Sequence, residues 1–328
     1  MNQITVYSYR EFDEARYFGQ FEKTHDVKIV KCSGNPIGEN LDLARGSTCI
    51  NIITSKIDEN TIKTLAGMGV RYIATRTIGY DHIDIKAAAA HGITIANAPY
   101  GPEGVADYTV MLMLMALRNM KRIMQRTEIQ DYSLNGLMGR ELHDLTVGVI
   151  GTGRIGTRVI QNLSGFGCRI LAYDLHENDE ARKYAAYTDA DTLLKDADLV
   201  TFHTPLTDVN YHSINKKTLS GMKDGVILIN TARGPLIETE ALISGLESGK
   251  VGAAAIDVVE HEAGLYYNDL KSTVLSNREL AVLRSFPNVT VSHHMAFYTQ
   301  NAIRTMVLDS MEGCLQFMQT GKSRWSVT

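Results

Sequence analysis

The chain has 328 residues, more than one typical domain, and its 21% charged and 44% hydrophobic residues describe a globular protein rather than a disordered one. A formal net charge of -4 with no Lys/Arg block lacks the electrostatic footprint of nucleic-acid or anionic-membrane binding, so a small-molecule partner is expected, with no nucleic acid and no membrane. Cys32, Cys49, Cys168 and Cys314 lie far apart without ligand spacing, which predicts reduced, mostly buried thiols and neither a metal site nor a disulfide framework.

The opening residues MNQITVYSYR hold no basic region followed by an apolar stretch, so no secretory signal and a cytoplasmic protein are expected. From there the chain alternates short β-branched runs with helical stretches. ITVYS (4–8), VKIVKC (27–32), CINIIT (49–54), RYIATR (71–76) and ITIAN (93–97) predict strands, and 58–68 and 85–91 predict helices, the second closed by Gly92. Such a βαβ rhythm predicts a parallel sheet covered by helices on both faces.

The turn cluster NAPYGPE (97–103) then breaks the pattern, placing a hinge near Pro99, and a long helix begins near Glu103. Its most apolar run, VMLMLMAL (110–117), is far shorter than the ~20 residues of a membrane span and reads as a buried helix or a subunit contact. After a loop at Asn135 and Gly136 a second alternating series follows: LTVGVIG (145–151), RILAYD (169–174), LVTFHTP (199–205), GVILINT (225–231), GAAAIDVV (252–259) and NVTVSHH (288–294). Six strands fit a doubly wound nucleotide domain. The last stretch, 299–320, has helical periodicity but is too short to form a domain, so it is expected to return to the first half. The boundaries expected are 1–99 with 299–328 for a substrate domain and 100–298 for a nucleotide-binding domain.

The run LTVGVIG leads directly into Gly151, Gly153 and Gly156, spaced G-x-G-x-x-G ahead of a helix. In that context the first glycine permits the tight turn, the second admits the pyrophosphate, and the third lets helix and strand pack closely. The phosphates then meet the helix N-terminus. Asp174 ends the next strand, where a carboxylate accepts hydrogen bonds from the adenosine ribose and repels a 2′-phosphate, so NAD is preferred over NADP.

Reduction of a 2-keto acid needs a cation for the carboxylate, an acid for the carbonyl oxygen, and a partner that keeps the acid charged. Three residues past late strands can supply these. Arg233 follows GVILINT and offers a planar guanidinium. Glu262 follows AAAIDVV, and His294 closes the last strand; a carboxylate beside imidazole favours the imidazolium and fixes the ring.

With these residues the sequence resembles the D-isomer-specific 2-hydroxyacid dehydrogenases, within them the D-lactate dehydrogenase group that includes the vancomycin-resistance enzymes. The resemblance rests on TRTIGYDHID (75–84), VADYTVMLMLMALR (105–118), LTVGVIGTGRIG (145–156), FHTPLT (202–207), INTARG (229–234), DVVEHE (257–262) and HMAFYT (294–299). It implies a Rossmann NAD-binding domain inserted in a flavodoxin-like substrate domain built from both termini, and a homodimer. For activity it implies reduction of a small 2-keto acid, pyruvate first, to the D-2-hydroxy acid, with Arg233, Glu262 and His294 catalytic.

The resemblance further implies Arg154 and Ile155 at the pyrophosphate, and Thr204, Pro205 and Asn210 beside the cofactor. Thr231 and Ala232 fall near the nicotinamide ribose and Asp257 at the carboxamide. Backbone N–H groups of Ile78 and Gly79 would hold the substrate carboxylate, and Tyr100 and Tyr298 would close the pocket. Many relatives have Pro before the catalytic His, where this chain has His293; spacing and strand alternation select His294. Glu260 shares its parity with Glu262, and only the family match separates them. Two alternatives stand beside this reading: larger aliphatic or aromatic 2-keto acids as substrates, and an NAD-sensing binding protein on the same fold.

Overall fold

Short apolar runs followed by turns and helices pair with one another as strands, and among the described residues these strand-to-strand pairings are parallel, with a lone antiparallel bridge from Ala96 to Ser326 near the C-terminus. The computed structural model describes residues 2–328. Two units separate: Met1–Gly101 with Tyr298–Thr328, and Pro102–Phe297. The sequence-based boundaries differ from these by one or two residues, so Tyr100 and Tyr298, expected in the nucleotide-binding segment, belong to the first unit. The reason is local: the helix of the second unit opens at Glu103 behind Pro102, and Tyr298 sits over the Arg10 guanidinium of the first.

The first unit contains β1 (Asn2–Val6), α1 (Glu11–Thr24), β2 (Val27–Lys31), β3 (Cys49–Ile52), α2 (Glu59–Gly67), β4 (Tyr72–Thr75), α3 (Ile85–Ala90) and β5 (Thr94–Ala96). Its sheet runs β2-β1-β3-β4-β5, the flavodoxin-like order. β3 and β4 are buried along their whole length, as strands covered on both faces must be. Asp58 and Asp84 start α2 and α3 by accepting the N–H groups of Thr61 and Ala87.

The second unit contains α4 (Glu103–Leu117), α5 (Met120–Glu128), β6 (Thr146–Ile150), α6 (Arg154–Ser164), β7 (Arg169–Tyr173), α7 (Asp179–Arg182), β8 (Ala186–Tyr187) and α8 (Ala190–Asp196). It continues with β9 (Leu199–Phe202), α9 (Lys216–Gly221), β10 (Val226–Asn230), α10 (Thr239–Glu247), β11 (Val251–Ile256), α11 (Arg278–Ser285) and β12 (Val289–Val291). The order β12-β11-β10-β9-β6-β7-β8 is the doubly wound dinucleotide arrangement with one strand added at the far edge. Its winding reverses between β6 and β9, whose ends are level because Ile150 pairs with Phe202. Seven strands stand where six were expected, because β8 is a two-residue pairing too short to leave a sequence pattern.

α12 (Gln300–Thr320) returns to the first unit, capped by Thr299 and closed by Gly321 at φ +71°. It packs on α1, β3 and β4, with Asn51 donating to Ser310 at 2.8 Å and Tyr72 stacked on Phe317.

The strands stop earlier than the apolar runs suggest: β9 at Phe202, β11 at Ile256 and β12 at Val291. Residues singled out in sequence as strand ends therefore lie in the loops beyond them. In an open α/β sheet that is the side where ligands bind.

Candidate functional site

The glycine turn after β6 is shaped by contact. A Cβ on Gly156 would lie 1.8 Å from the Gly151 oxygen, and one on Gly151, at φ +95°, would lie 2.7 Å from the His203 carbonyl. Nothing stands within 4 Å of a Cβ on Gly153, so that face of the turn is open. Gly153 also heads α6 without a side-chain cap, which leaves first-turn N–H groups, that of Ile155 among them, for a ligand oxygen.

Asp174 lies at the end of β7. Its Oδ2 accepts from the Thr152 N–H at 2.6 Å and its Oδ1 from the His176 N–H at 3.0 Å. Oδ2 also accepts from the Thr152 hydroxyl at 3.3 Å; a carboxylate has about four acceptor positions, so Oδ1 is the oxygen that can still take a ribose hydroxyl. Thr152, absent from the sequence reading, is the hub of this corner: its hydroxyl receives the Tyr187 hydroxyl at 2.7 Å. Its carbonyl receives Asn178 Nδ2 at 3.1 Å and Thr157 Oγ1 at 2.8 Å. As the variable residue of the glycine pattern, it carried no signal.

Beyond β9, Asn210 folds its own loop, donating to the Pro205 carbonyl at 2.7 Å and to Thr204 Oγ1 at 3.4 Å while its Oδ1 accepts from the Thr207 N–H. Beyond β10, Asn230 braces the next turn: its Oδ1 accepts from the Ala232 N–H at 3.0 Å and its Nδ2 donates to the Arg233 carbonyl at 2.8 Å. Thr231 is buried with its hydroxyl 2.9 Å from that of Thr109 on α4. Arg233 is half-buried, with Nη1 donating to the Ala232 carbonyl at 2.8 Å.

The loops after β11 and β12 meet at Asp257 and at a histidine–carboxylate pair. Asp257 is fully buried. Its Oδ1 accepts from Ser292 Oγ at 2.6 Å and the Met295 N–H at 2.8 Å, and its Oδ2 from the Ala296 N–H at 2.9 Å. One acceptor position on Oδ2 is left. The carboxylate thus builds the turn that carries His294, whose own N–H donates to the Asp257 carbonyl at 2.7 Å.

His294 Nδ1 lies 2.7 Å from Glu262 Oε1, and Glu262 Oε2 accepts from the Val259 N–H at 3.1 Å. With Nδ1 engaged, Nε2 is the imidazole atom left to exchange a proton. The Tyr267 hydroxyl donates to the His294 carbonyl at 2.9 Å.

Glu260 does not share this pairing. It is buried, with Oε1 2.7 Å from His212 Nε2 and Oε2 accepting from both the N–H and the hydroxyl of Thr239. His293 is exposed, edge-on to Tyr266. The separation of the two histidines does not come from strand alternation, because β12 ends two residues before His293; it comes from the backbone of His294, at φ +56°.

Ile78, Gly79, Tyr100 and Tyr298 belong to the first unit. The loop after β4 hangs from Arg76, fully buried against Glu14 at 3.0 Å, Asn51 and the carbonyls of Tyr7 and Ser8. Asn97 Nδ2 donates to the Ile78 carbonyl at 2.8 Å and Thr77 Oγ1 to the Gly79 carbonyl at 2.6 Å. Both carbonyls are thereby tied down, and among the described residues neither the Ile78 nor the Gly79 N–H has a protein acceptor. Two adjacent free donors suit a carboxylate. Tyr100 is buried. The hydroxyl of Tyr298 is raised by burial and by its hydrogen bond to Asp13.

Among the described residues no cluster of three or more His, Cys, Asp or Glu could hold a metal ion, and no helix is long and apolar enough to cross a membrane. Residues 110–296 match the family model "D-isomer specific 2-hydroxyacid dehydrogenase, NAD binding domain". The chain is 41% identical over 324 residues to an aromatic 2-oxoacid reductase of Clostridium sporogenes, covering 97% of each. It is 41% identical over 315 residues to a D-specific alpha-keto acid dehydrogenase of Enterococcus faecium, covering 96% of each. Among solved structures, that of the pyruvate reductase of Chlamydomonas reinhardtii superposes with a TM-score of 0.88 at 33% identity, covering 97% of each chain.

Proposed function

The chain belongs to the D-isomer specific 2-hydroxyacid dehydrogenase family, and from that premise we propose that it reduces a small 2-keto acid, pyruvate first, to the D-2-hydroxy acid. It is an NAD-dependent oxidoreductase, and the residues at the β6 turn fit that cofactor: Gly153 leaves open space, the first turn of α6 presents its N–H groups, and Asp174 Oδ1 keeps an acceptor position. When bound, the cofactor would supply the hydride as NADH in reduction, or accept it as NAD+ in oxidation.

The Glu262–His294 pair carries the reading. Glu262 holds Nδ1 and orients the ring, so Nε2 is the atom that presents a proton to the carbonyl oxygen as the carbon is reduced. Oxidation runs the same path backwards, with neutral Nε2 taking the hydroxyl proton. The Arg233 guanidinium grips carboxylate and keto oxygen with parallel donors and offsets the charge developing on oxygen.

A second reading, an aromatic 2-keto acid as substrate, is favoured by the Clostridium sporogenes relative. A panel of pyruvate, 2-ketoisocaproate and phenylpyruvate with NADH, followed by chiral chromatography, decides between them. Highest kcat/KM on pyruvate with D-lactate as product is expected; a preference for phenylpyruvate selects the second reading, and an L product overturns both.

We also assign the protein to the cytoplasm, where an NAD pool is available, and to a homodimer. A groove beside α4, lined by Val110, Met111, Leu114, Met115, Ile123 and Phe166, supports the dimer; a second copy presents the same apolar face.

A further inference from the structure

The second unit holds two histidine–carboxylate pairs, Glu262–His294 and Glu260–His212, and the second has no part in the reaction described above. We infer that His212 and Glu260 form a clasp that positions Glu262 on His294, making both of them positioning residues for the proton transfer. The inference rests on the Glu262–His294 reading given under Proposed function.

Glu260 joins three segments. Its Oε1 holds His212, in the loop after β9; its Oε2 holds the N–H and hydroxyl of Thr239 at the start of α10; its own carbonyl receives Asn277 Nδ2 at 3.4 Å, just ahead of α11. Burial opposes the charge, yet the hydrogen bonds from His212 and Thr239 hold the Glu260 carboxyl below its usual range. An anion fixed by three donors is a rigid anchor.

What it anchors is a strained turn. His261 sits at φ +57°, a conformation a non-glycine residue keeps only where the surroundings enforce it. Through that residue the chain reverses, so that Glu262 Oε2 returns to the Val259 N–H while Oε1 meets His294. If the Glu260 side chain is released, the turn loses its ties to His212 and Thr239 and keeps the Glu262 side chain, the bond from Asn277 to the Glu260 carbonyl and the bonds from the Leu265 and Tyr266 N–H groups to the Glu262 carbonyl.

The clasp also reaches Arg233. A Cβ on Gly234 would lie 2.2 Å from the Val259 carbonyl and 2.6 Å from the Glu260 nitrogen, so the chain leaving Arg233 rests directly on this turn. His212 is locked from the other side: its N–H donates to the Pro235 carbonyl, its carbonyl receives Asn215 Nδ2, and its ring stacks on Tyr211 at 4.0 Å. Its backbone is left-handed as well, at φ +51°. The ring is therefore aimed rather than free, with Nε2 directed at Glu260. Glu262 faces the His294 imidazole, and the Tyr266 hydroxyl lies near enough to feel its charge.

The test is the pH dependence of 2-keto-acid reduction by the full chain with NADH, measured for the wild type and for His212→Ala, His212→Gln, Glu262→Gln and the double variant His212→Ala/Glu262→Gln. Glu262→Gln should move the falling limb to lower pH, because imidazolium loses its anion. His212→Ala should move it the same way by a smaller amount and lower kcat by about tenfold, with the KM for NADH little changed. In His212→Gln the side-chain amide can still donate to Glu260 Oε1, so most of the profile and rate should return. The double variant should move no further than Glu262→Gln alone, since both changes act on one pair.

A His212→Ala profile that stays in place while kcat falls, or a double variant shifted by the sum of the two, overturns the clasp and leaves the Glu262–His294 reading standing. A Glu262→Gln profile that does not move overturns that reading, and the clasp with it. If His212→Ala does not fold, His212→Asn serves in its place, being too short to reach Glu260.

Discussion

Glu260 and Glu262 are separated by a single histidine at φ +57°, and this one angle sends their carboxylates to different partners, His212 and His294. In an extended chain the two would share a face, which is why residue type and spacing leave them equivalent. The same holds for His293 and His294: both are imidazoles beyond β12, and the left-handed backbone of His294, held by its N–H to Asp257, brings only that ring to Glu262. Asp174 shows a residue whose role is legible but whose surroundings are not. Its carboxylate braces the glycine turn through Thr152, so Asp174→Ala should cost some efficiency with NADH while removing the charge that repels a 2′-phosphate. The ratio of kcat/KM for NADH over NADPH should narrow by about tenfold or more, ~1.4 kcal/mol, and Asp174→Asn should retain more of the NADH activity because it keeps one acceptor for Thr152. An unchanged ratio in both variants would remove Asp174 from cofactor choice.

At the level of elements, the turns after strands decide more than the strands do. Gly234 packs against the Val259–Glu260 backbone and Gly153 faces open space, although each stands at the start of a helical turn. Gly234→Ala must push two loops apart and should destabilise the second unit by about 2 kcal/mol or more, with loss of kcat as Arg233 and the 259–262 turn shift together. Gly153→Ala has room for its methyl in the protein alone, so its stability to urea should stay within ~0.5 kcal/mol of wild type while the KM for NADH rises, because the methyl would occupy the open face of the turn. Equal stability losses in the two variants would refute the contrast. The strands themselves were readable because their periodicity is local, and α12 was readable because its apolar positions recur along a 21-residue helix. β8 was not, since two residues carry no period.

Across the whole molecule, α4 is apolar on more than one side, with Val105, Ala106, Thr109, Leu112 and Met113 buried within the second unit and Met111 40% exposed. Ile129, Tyr132, Leu134 and Met138 lie in the segment that follows, all strongly exposed, and the proposed dimer would give this apolar surface a partner. Light scattering should give twice the 36.3 kDa chain mass, and Met111→Glu should shift the population to monomer with the far-UV spectrum of the folded protein retained; a wild-type monomer at micromolar concentration refutes the dimer. The sequence by itself determined the alternation of strand and helix, the glycine turn with its following acid, and the residue types available beyond each strand, because these depend on neighbours within a few positions along the chain. Tertiary structure alone decided where strands β9, β11 and β12 stop, that Asp257 is spent partly on building the His294 turn, and which glutamate meets which histidine. Those outcomes depend on hydrogen bonds between loops 20 to 50 residues apart and on left-handed backbone at His212, His261 and His294, and no local pattern encodes a conformation that only distant contacts hold in place.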